Sequence, residues 1–164
     1  MTTRIVVLAD THVTRGSARR MPDAVYAHLD AADRIWHAGD VLVPELLDEL
    51  AGFAPVEAVL GNNDHELLGI LPEQTEETVD GVRIAMVHDS GTAKGRENRM
   101  RRWFPAADLV IFGHSHQPVD AEGIDGQRLL NPGSPTQRRR APTHTLGIVT
   151  CDDGRLQTEI VDLT

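Results

Sequence analysis

Two imidazoles one residue apart, in Gly113-His114-Ser115-His116, follow directly on the apolar run Leu109-Val110-Ile111-Phe112. A strand end rarely places two histidines together for packing; it does so naturally when each offers a ring nitrogen to a metal ion. Four other apolar runs end in the same kind of residue: just past them stand Asp10 and His12, Asp40, Asn62, and His88. Polar residues at single strand ends are common as helix caps and turn formers. Capping alone does not account for ligand-type residues at five ends in succession.

Seven ligands are too many for one zinc ion and suit two adjacent ions sharing a carboxylate. Four imidazoles, two carboxylates and one amide make a mixed nitrogen–oxygen set. Such a set favours Mn, Fe, Zn, Co or Ni over Mg or Ca, which prefer oxygen alone. Two metals ~3.5–4 Å apart lower the pKa of a shared water and hold phosphate oxygens, so the indicated chemistry is phosphoryl-ester hydrolysis. Cys151 is the only cysteine, which excludes an internal disulfide and a cysteine-built zinc site. A serine hydrolase finds no support, because neither Ser90 nor Ser115 lies in a Gly-x-Ser-x-Gly elbow.

The elements that must position these residues can be read from periodicity. Residues 4–9 form a buried strand, and residues 20–30 a helix with Pro22 and Asp23 in its first turn and Met21, Val25 and Leu29 on one face. Residues 35–38 form a second strand. Val43, Leu46, Leu47 and Leu50 then follow helical spacing up to a stop at Gly52, and residues 56–60 form a third strand. This alternation implies a parallel sheet with crossover helices, whose binding crevice lies at the carboxyl ends of the strands. In the second half, Asp80-Gly81, Asp125-Gly126 and Asp153-Gly154 read as hairpin turns, with Val82, Ile84 and Met86 alternating after the first. A helix is expected over residues 92–103, with Met100, Trp103 and Phe104 inward. The second sheet is expected to be more antiparallel than the first.

A chain of 164 residues is enough for one domain, taken as residues 1–164, without repeats or linkers. Apolar content of 40% and charged content of 25% are those of a globular protein; only 4% aromatic residues means a core of Val, Leu, Ile and Ala. The net charge of −9 argues against bulk nucleic-acid binding or an anionic membrane surface. It leaves room for a small anionic substrate, since bound metals invert the local field. The apolar run Ile5–Ala9 is too short for a signal peptide or a membrane span, and with the lone cysteine it points to the cytoplasm.

Asp10-Thr11-His12, Gly39-Asp40, Gly61-Asn62-Asn63-Asp64, His88 and Gly113-His114-Ser115-His116 together resemble the successive motifs of the calcineurin-like metallophosphoesterases. Small size and Asn131-Pro132-Gly133-Ser134 narrow the resemblance to the compact prokaryotic phosphodiesterases of the YfcE type. It runs in order over nearly the whole chain. It implies an α/β fold, a four-layer αββα sandwich of two mixed sheets, with a dinuclear centre at the sheet edge. Carried over by position, Asp10, His12 and His116 hold the first metal, and Asn62, His88 and His114 the second, with Asp40 bridging. Two divalent ions are implied, Mn first, with Ni, Zn, Fe or Co as alternatives. A hydroxide between them attacks phosphorus in line, with Asp40, Asn62 and His114 as catalytic positions and Asn62 and Asn63 as substrate contacts. Arg138 opens a run of three arginines directly after the Asn-Pro-Gly-Ser motif and is the candidate grip on a phosphodiester.

Two positions depart from the family pattern. Many members carry a histidine after the ligand asparagine to protonate the leaving oxygen; here Asn63 stands there, and an amide is no general acid at neutral pH. That favours activated or cyclic diesters, with nearby His65 the only substitute in sequence. Asp89 follows His88 where members usually have glycine, and reads as a cap for the next helix. His37 reads as a core or supporting histidine, Asp64 as an orienting carboxylate, and Cys151 as an inert apolar residue. The cluster Lys94, Arg96, Arg99, Arg101 and Arg102 reads as a solvated helix face. The expected function is a metal-dependent phosphodiesterase acting on small or activated diesters, with a small phosphate ester as partner and a homo-oligomer as an open option. Its rivals are a phosphomonoesterase, a cyclic-nucleotide phosphodiesterase or nuclease on the same site, and a retromer-subunit-like scaffold. Scaffold relatives tend to lose ligands, whereas all seven positions here are filled.

Overall fold

The computed structural model describes residues 1–16 and 20–164. Strands β1 (Thr2–Leu8), β2 (Arg34–His37) and β3 (Val56–Ala58) lie side by side and parallel. Helices α1 (Asp23–Asp30) and α2 (Pro44–Ala51) are the crossovers between them. Antiparallel to β1 runs β9 (Thr145–Asp152), which in turn pairs with β10 (Arg155–Asp162) at the sheet edge. The second sheet has the order β4 (Gln74–Val79), β5 (Val82–Val87), β6 (Leu109–Ile111), β8 (Arg128–Asn131) and β7 (Val119–Glu122). Helix α3 (Arg96–Trp103) connects β5 to β6.

Alternation along the strands divides the core into three layers between four. Ile5, Val7 and Trp36 of the first sheet meet Ile84, Met86, Leu109 and Ile111 of the second. The other faces are covered as well. Val6, Leu8 and Ile35 pack under α1 and α2 with Val25, Leu29, Leu46 and Leu50, while Ala85, Val110 and Phe112 pack under α3 with Met100 and Phe104. The chain is therefore a four-layer αββα sandwich of two mixed sheets, as expected. Strands sandwiched on both sides read as unbroken apolar runs rather than alternating ones, which is why residues 5–9 and 109–112 stand out in the sequence.

Several expectations are corrected in detail. The first helix begins at Asp23, after Pro22, rather than at residue 20. The third begins at Arg96 because Gly95, with φ 76°, turns the chain left-handed just before it. Trp103 is 42% exposed rather than inward, since only Met100 and Phe104, four apart, face the second sheet. That sheet is evenly mixed: β4–β5 and β7–β8 are antiparallel, but β5, β6 and β8 are parallel. Asp80-Gly81 and Asp153-Gly154 do join hairpins. Asp125-Gly126 lies in the longer loop of a third hairpin, β7–β8, where it forms part of a short 3-10 turn.

Candidate metal centre

Each sheet contributes three parallel neighbours, β1–β2–β3 and β5–β6–β8, and all six point their carboxyl ends to one edge of the sandwich. The chain leaves these ends at Asp10 and His12, Asp40, Asn62, His88, His114 and His116, and Asn131 to Ser134. All seven sequence-derived candidates meet there. His12 Nε2 lies 3.3 Å from Asp40 Oδ2, and Asp40 Oδ2 lies 3.5 Å from His88 Nε2. His88 Nε2 is 2.9 Å from Asn62 Oδ1, which is 3.2 Å from His114 Nδ1. The His114 backbone N–H donates to Asp10 Oδ2 at 2.9 Å, and Asp10 Oδ1 lies 3.7 Å from His116 Nε2. The His12 and His116 rings, with centroids 5.2 Å apart, close the circuit.

Two tight groups can each hold an ion: Asp10, His12 and His116, and Asp10, Asp40 and His88. The first is the trio expected from the sequence. In the second, Asp10 recurs beside Asp40 and His88, while Asn62 and the half-exposed His114 stand at its rim. Asp40 Oδ2 nevertheless sits between the His12 and His88 imidazoles.

The proton positions show what this cluster lacks. His88 Nδ1 donates to the Ala38 carbonyl at 2.7 Å, so neutral His88 aims the lone pair of Nε2 at the oxygens of Asn62, Asp40 and Asp10. His116 Nδ1 likewise donates to the Gln137 carbonyl, leaving its Nε2 without a partner. Asp10 Oδ1 and His12 Nε2 are also buried without a hydrogen-bond partner. Burial lowers the pKa of His88 and brings that of His116 down to about 4, keeping both rings neutral. Burial, then the neighbouring Asp40 charge, pushes Asp10 up to about 8. Burial works against ionised Asp40 too, yet the adjacent His12 imidazole and the Asn63 N–H hold its carboxyl well below the usual range. Buried ligand atoms that converge without hydrogen-bond partners among the described residues are what a divalent cation satisfies, and the nitrogen–oxygen donor set fits one.

Backbone strain marks the same residues. Asp10, His12, Asp40, His114 and His116 all have positive φ, between 46° and 75°. Such conformations are rare outside glycine and persist where surrounding structure enforces them, typically at functional sites. Here Asp64, 1% exposed, accepts the N–H groups of Asp40, Leu42 and Gly61 at 2.9, 2.7 and 2.7 Å. Gly61 leaves room for Asp40, whose N and Oδ1 would lie only 2.2 Å from a Cβ at that position. On the other side, the Ser134 hydroxyl donates to the Asp10 carbonyl at 2.8 Å, and Asn131 Nδ2 donates to the Gly113 carbonyl at 3.2 Å.

The remaining candidates fall as follows. Asn63 is tied to Asp40, its N–H to Oδ1 at 2.9 Å and its Nδ2 to Oδ2 at 3.0 Å. His65 is exposed in a short 3-10 turn. His37 is fully buried, accepting the Gly39 N–H at Nδ1 and donating from Nε2 to the Thr11 hydroxyl. Asp89 does not cap α3; it accepts the Gly91 N–H, and its Oδ2 lies 3.9 Å from His114 Nε2. Arg96 and Arg99 are more than a solvated face, since they bind Ser90 and Thr92 and brace the loop after His88. Arg138 turns back to the Ala141 carbonyl at 2.8 Å, while its neighbour Arg139 reaches the His114 carbonyl at 3.4 Å. Sequence reasoning missed Arg139, and the Ala38 and Gln137 carbonyls that fix two imidazoles. Backbone acceptors carry no residue-type signal at all.

Residues 3–154 match the family model described as the calcineurin-like phosphoesterase superfamily domain. A probable metallophosphoesterase of Methanothermobacter thermautotrophicus is 33% identical over 159 residues, covering 96% of this chain and 91% of that protein. Among solved structures, Vacuolar Protein Sorting 29 from Cryptosporidium parvum aligns with a TM-score of 0.79 at 18% identity, over 98% of this chain and 97% of that one. A conserved protein of Streptococcus pneumoniae described as a predicted phosphoesterase aligns with a TM-score of 0.72 at 20% identity, over 99% and 91%.

Proposed function

The chain belongs to the calcineurin-like phosphoesterase superfamily, and from that premise we propose that it is a metal-dependent phosphodiesterase cleaving small or activated phosphate diesters. The observation that carries this reading is the convergence at one sheet edge of Asp10 Oδ1, His12 Nε2 and His116 Nε2, buried without hydrogen-bond partners among the described residues, beside the Nε2 lone pair of His88. Asp10, His12 and His116 would hold one divalent ion, and His88, Asn62 and His114 a second, with Asp40 between them. We assign Mn first, with Ni, Zn, Fe or Co as alternatives. A pair of such ions supplies a water-derived nucleophile at neutral pH and neutralises charge on phosphate oxygens.

The chain's own residues do the rest. The Ala38 and Gln137 carbonyls fix the tautomers of His88 and His116, so each ring presents a lone pair rather than a proton. Asn62, exposed at the rim, can turn its amide to a substrate oxygen. Asn63 is committed to Asp40 and offers no proton to a leaving group. Esters whose leaving group departs unaided, such as aryl or cyclic diesters, therefore suit this site better than alkyl monoesters. The scaffold alternative rests on fold likeness at 18% identity, and nothing in the ligand circuit favours it.

The test is hydrolysis of bis(p-nitrophenyl) phosphate against p-nitrophenyl phosphate by metal-stripped protein, with Mn, Ni, Zn or Mg added back. We expect diester turnover that requires added metal and falls by at least about a hundredfold in His116→Ala. Preference for the monoester would make the protein a phosphatase instead. Two bound metals without turnover of either ester would favour the scaffold reading.

A further inference from the structure

Three consecutive arginines are indistinguishable in sequence, yet the fold separates them. Arg138, Arg139 and Arg140 are all exposed. The Arg138 guanidinium closes its own loop onto the Ala141 carbonyl. Arg139, with φ 50°, turns the opposite way and meets the His114 carbonyl. The stretch leading to it is fixed by the centre itself: the Gln137 carbonyl accepts from His116 Nδ1, and Ser134 Oγ accepts the N–H groups of Thr136 and Gln137 at 3.3 and 2.9 Å. The backbone that orients His116 thus also aims Arg139.

Among the described residues Arg139 makes one hydrogen bond, at 3.4 Å, which leaves most of its five guanidinium N–H groups for another acceptor. The contact with the His114 carbonyl places the cation at the rim of the centre, against the backbone of a candidate ligand. Of the other groups described at the centre, Asp10 and Asp40 are acidic, Asn62 and Asn63 are neutral, and Asp89 Oδ2 lies 3.9 Å from His114 Nε2.

We propose that Arg139, rather than Arg138, is the residue that grips a non-bridging oxygen of the phosphate group at the rim of this centre. The proposal rests on the phosphoesterase reading above and adds a residue to it. A guanidinium there offers paired N–H donors to two oxygens of one phosphate, which an ammonium at the same place cannot match.

The experiment compares wild type with Arg139→Asn, Arg139→Lys and Arg138→Ala; asparagine is chosen because it tolerates the left-handed backbone. Binding of inorganic phosphate to the Mn-loaded protein and binding of Mn itself are measured by calorimetry, alongside bis(p-nitrophenyl) phosphate kinetics. Arg139→Asn should weaken phosphate about tenfold or more and raise KM in step, with a smaller change in kcat and unchanged Mn binding. Arg139→Lys should recover part of the loss, and Arg138→Ala should stay within about twofold of wild type. The proposal is overturned if Arg139→Asn binds phosphate like wild type, if the loss appears in Arg138→Ala instead, or if wild type binds no phosphate. Loss of Mn binding in Arg139→Asn would also overturn it, since the residue would then merely brace the His114 loop. Phosphate bound through Arg139 without turnover of any ester would sink the diesterase reading and leave this inference standing. Turnover untouched in Arg139→Asn would do the reverse.

Discussion

At this centre the identity of a residue matters less than which of its atoms carries a proton. His88 and His116 are free to present Nε2 to the cluster because backbone carbonyls accept hydrogen bonds from their Nδ1–H groups. His37, three residues before Asp40, shows the opposite commitment. Its Nδ1 accepts the Gly39 N–H and its Nε2 donates to Thr11, so neither nitrogen has room for another proton. Burial accordingly lowers its pKa from 6.5 to about 3. Above pH 6.5 the ring is neutral folded or unfolded and stability is unaffected by it. Below that value only the unfolded chain takes up the proton, so stability is lost as pH falls from about 6.5 toward 3. In denaturant melts of metal-free protein, wild type should lose about 2 kcal/mol relative to His37→Gln between about pH 6.5 and 5. A difference between the two proteins that does not change with pH would refute a buried neutral ring. The supporting role of His37 was readable from its place inside a strand. Its hydrogen bonds were not, because they depend on Thr11 and Gly39 arriving from two different loops.

At the scale of elements, the centre is a property of strand direction. Parallel neighbours in each sheet release their following loops on the same edge, and six such loops meet. Those loops are short and strained, and Asp64 ties two of them together through three backbone N–H groups. Removing that carboxylate strands all three donors in a buried place. Asp64→Ala should therefore cost about 3 kcal/mol or more in denaturant unfolding. It should also abolish metal binding, because Asp40 and Leu42 would leave their positive-φ conformations. If Asp64→Ala titrates with Mn as wild type does, the loops hold themselves and this account of Asp64 is wrong. The five strand ends were visible as apolar runs stopped by ligand-type residues. The start of α3 and the outward face of Trp103 were misread, since Gly95 and the direction of approach of the helix decide them.

The whole molecule keeps its chemistry at one end and a structural clasp at the other. Gly154 N–H donates to the Asp80 carbonyl at 2.8 Å, docking the β9–β10 turn of one sheet on the β4–β5 turn of the other. Gly81, with φ 82°, sits in that junction, where a Cβ would come within 2.8 Å of Gly154 N. Gly81→Ala should destabilise the protein by about 1–3 kcal/mol through backbone strain and crowding. Mn affinity and diester turnover should be unchanged, because the clasp lies at the opposite end of β1 from Asp10. A parallel loss of metal binding would show that the spacing of the sheets, and not the loops alone, sets the centre. No helix among the described residues is long and apolar enough to cross a membrane.

The amino-acid order alone determined the parallel strand–helix alternation of the first half and the list of candidate ligands, while the four layers came with the family resemblance those ligands carry. Apolar runs stopped by Asp, Asn and His mark the strand ends at which such groups must stand. Only the tertiary structure decided which imidazole nitrogens are free, that Asp10 is shared by both tight groups, and which of three identical arginines faces the centre. The physical reason is common to all three. Each depends on a contact between loops far apart in the chain, frequently with a backbone carbonyl as the partner, and no local pattern of side chains encodes such a contact.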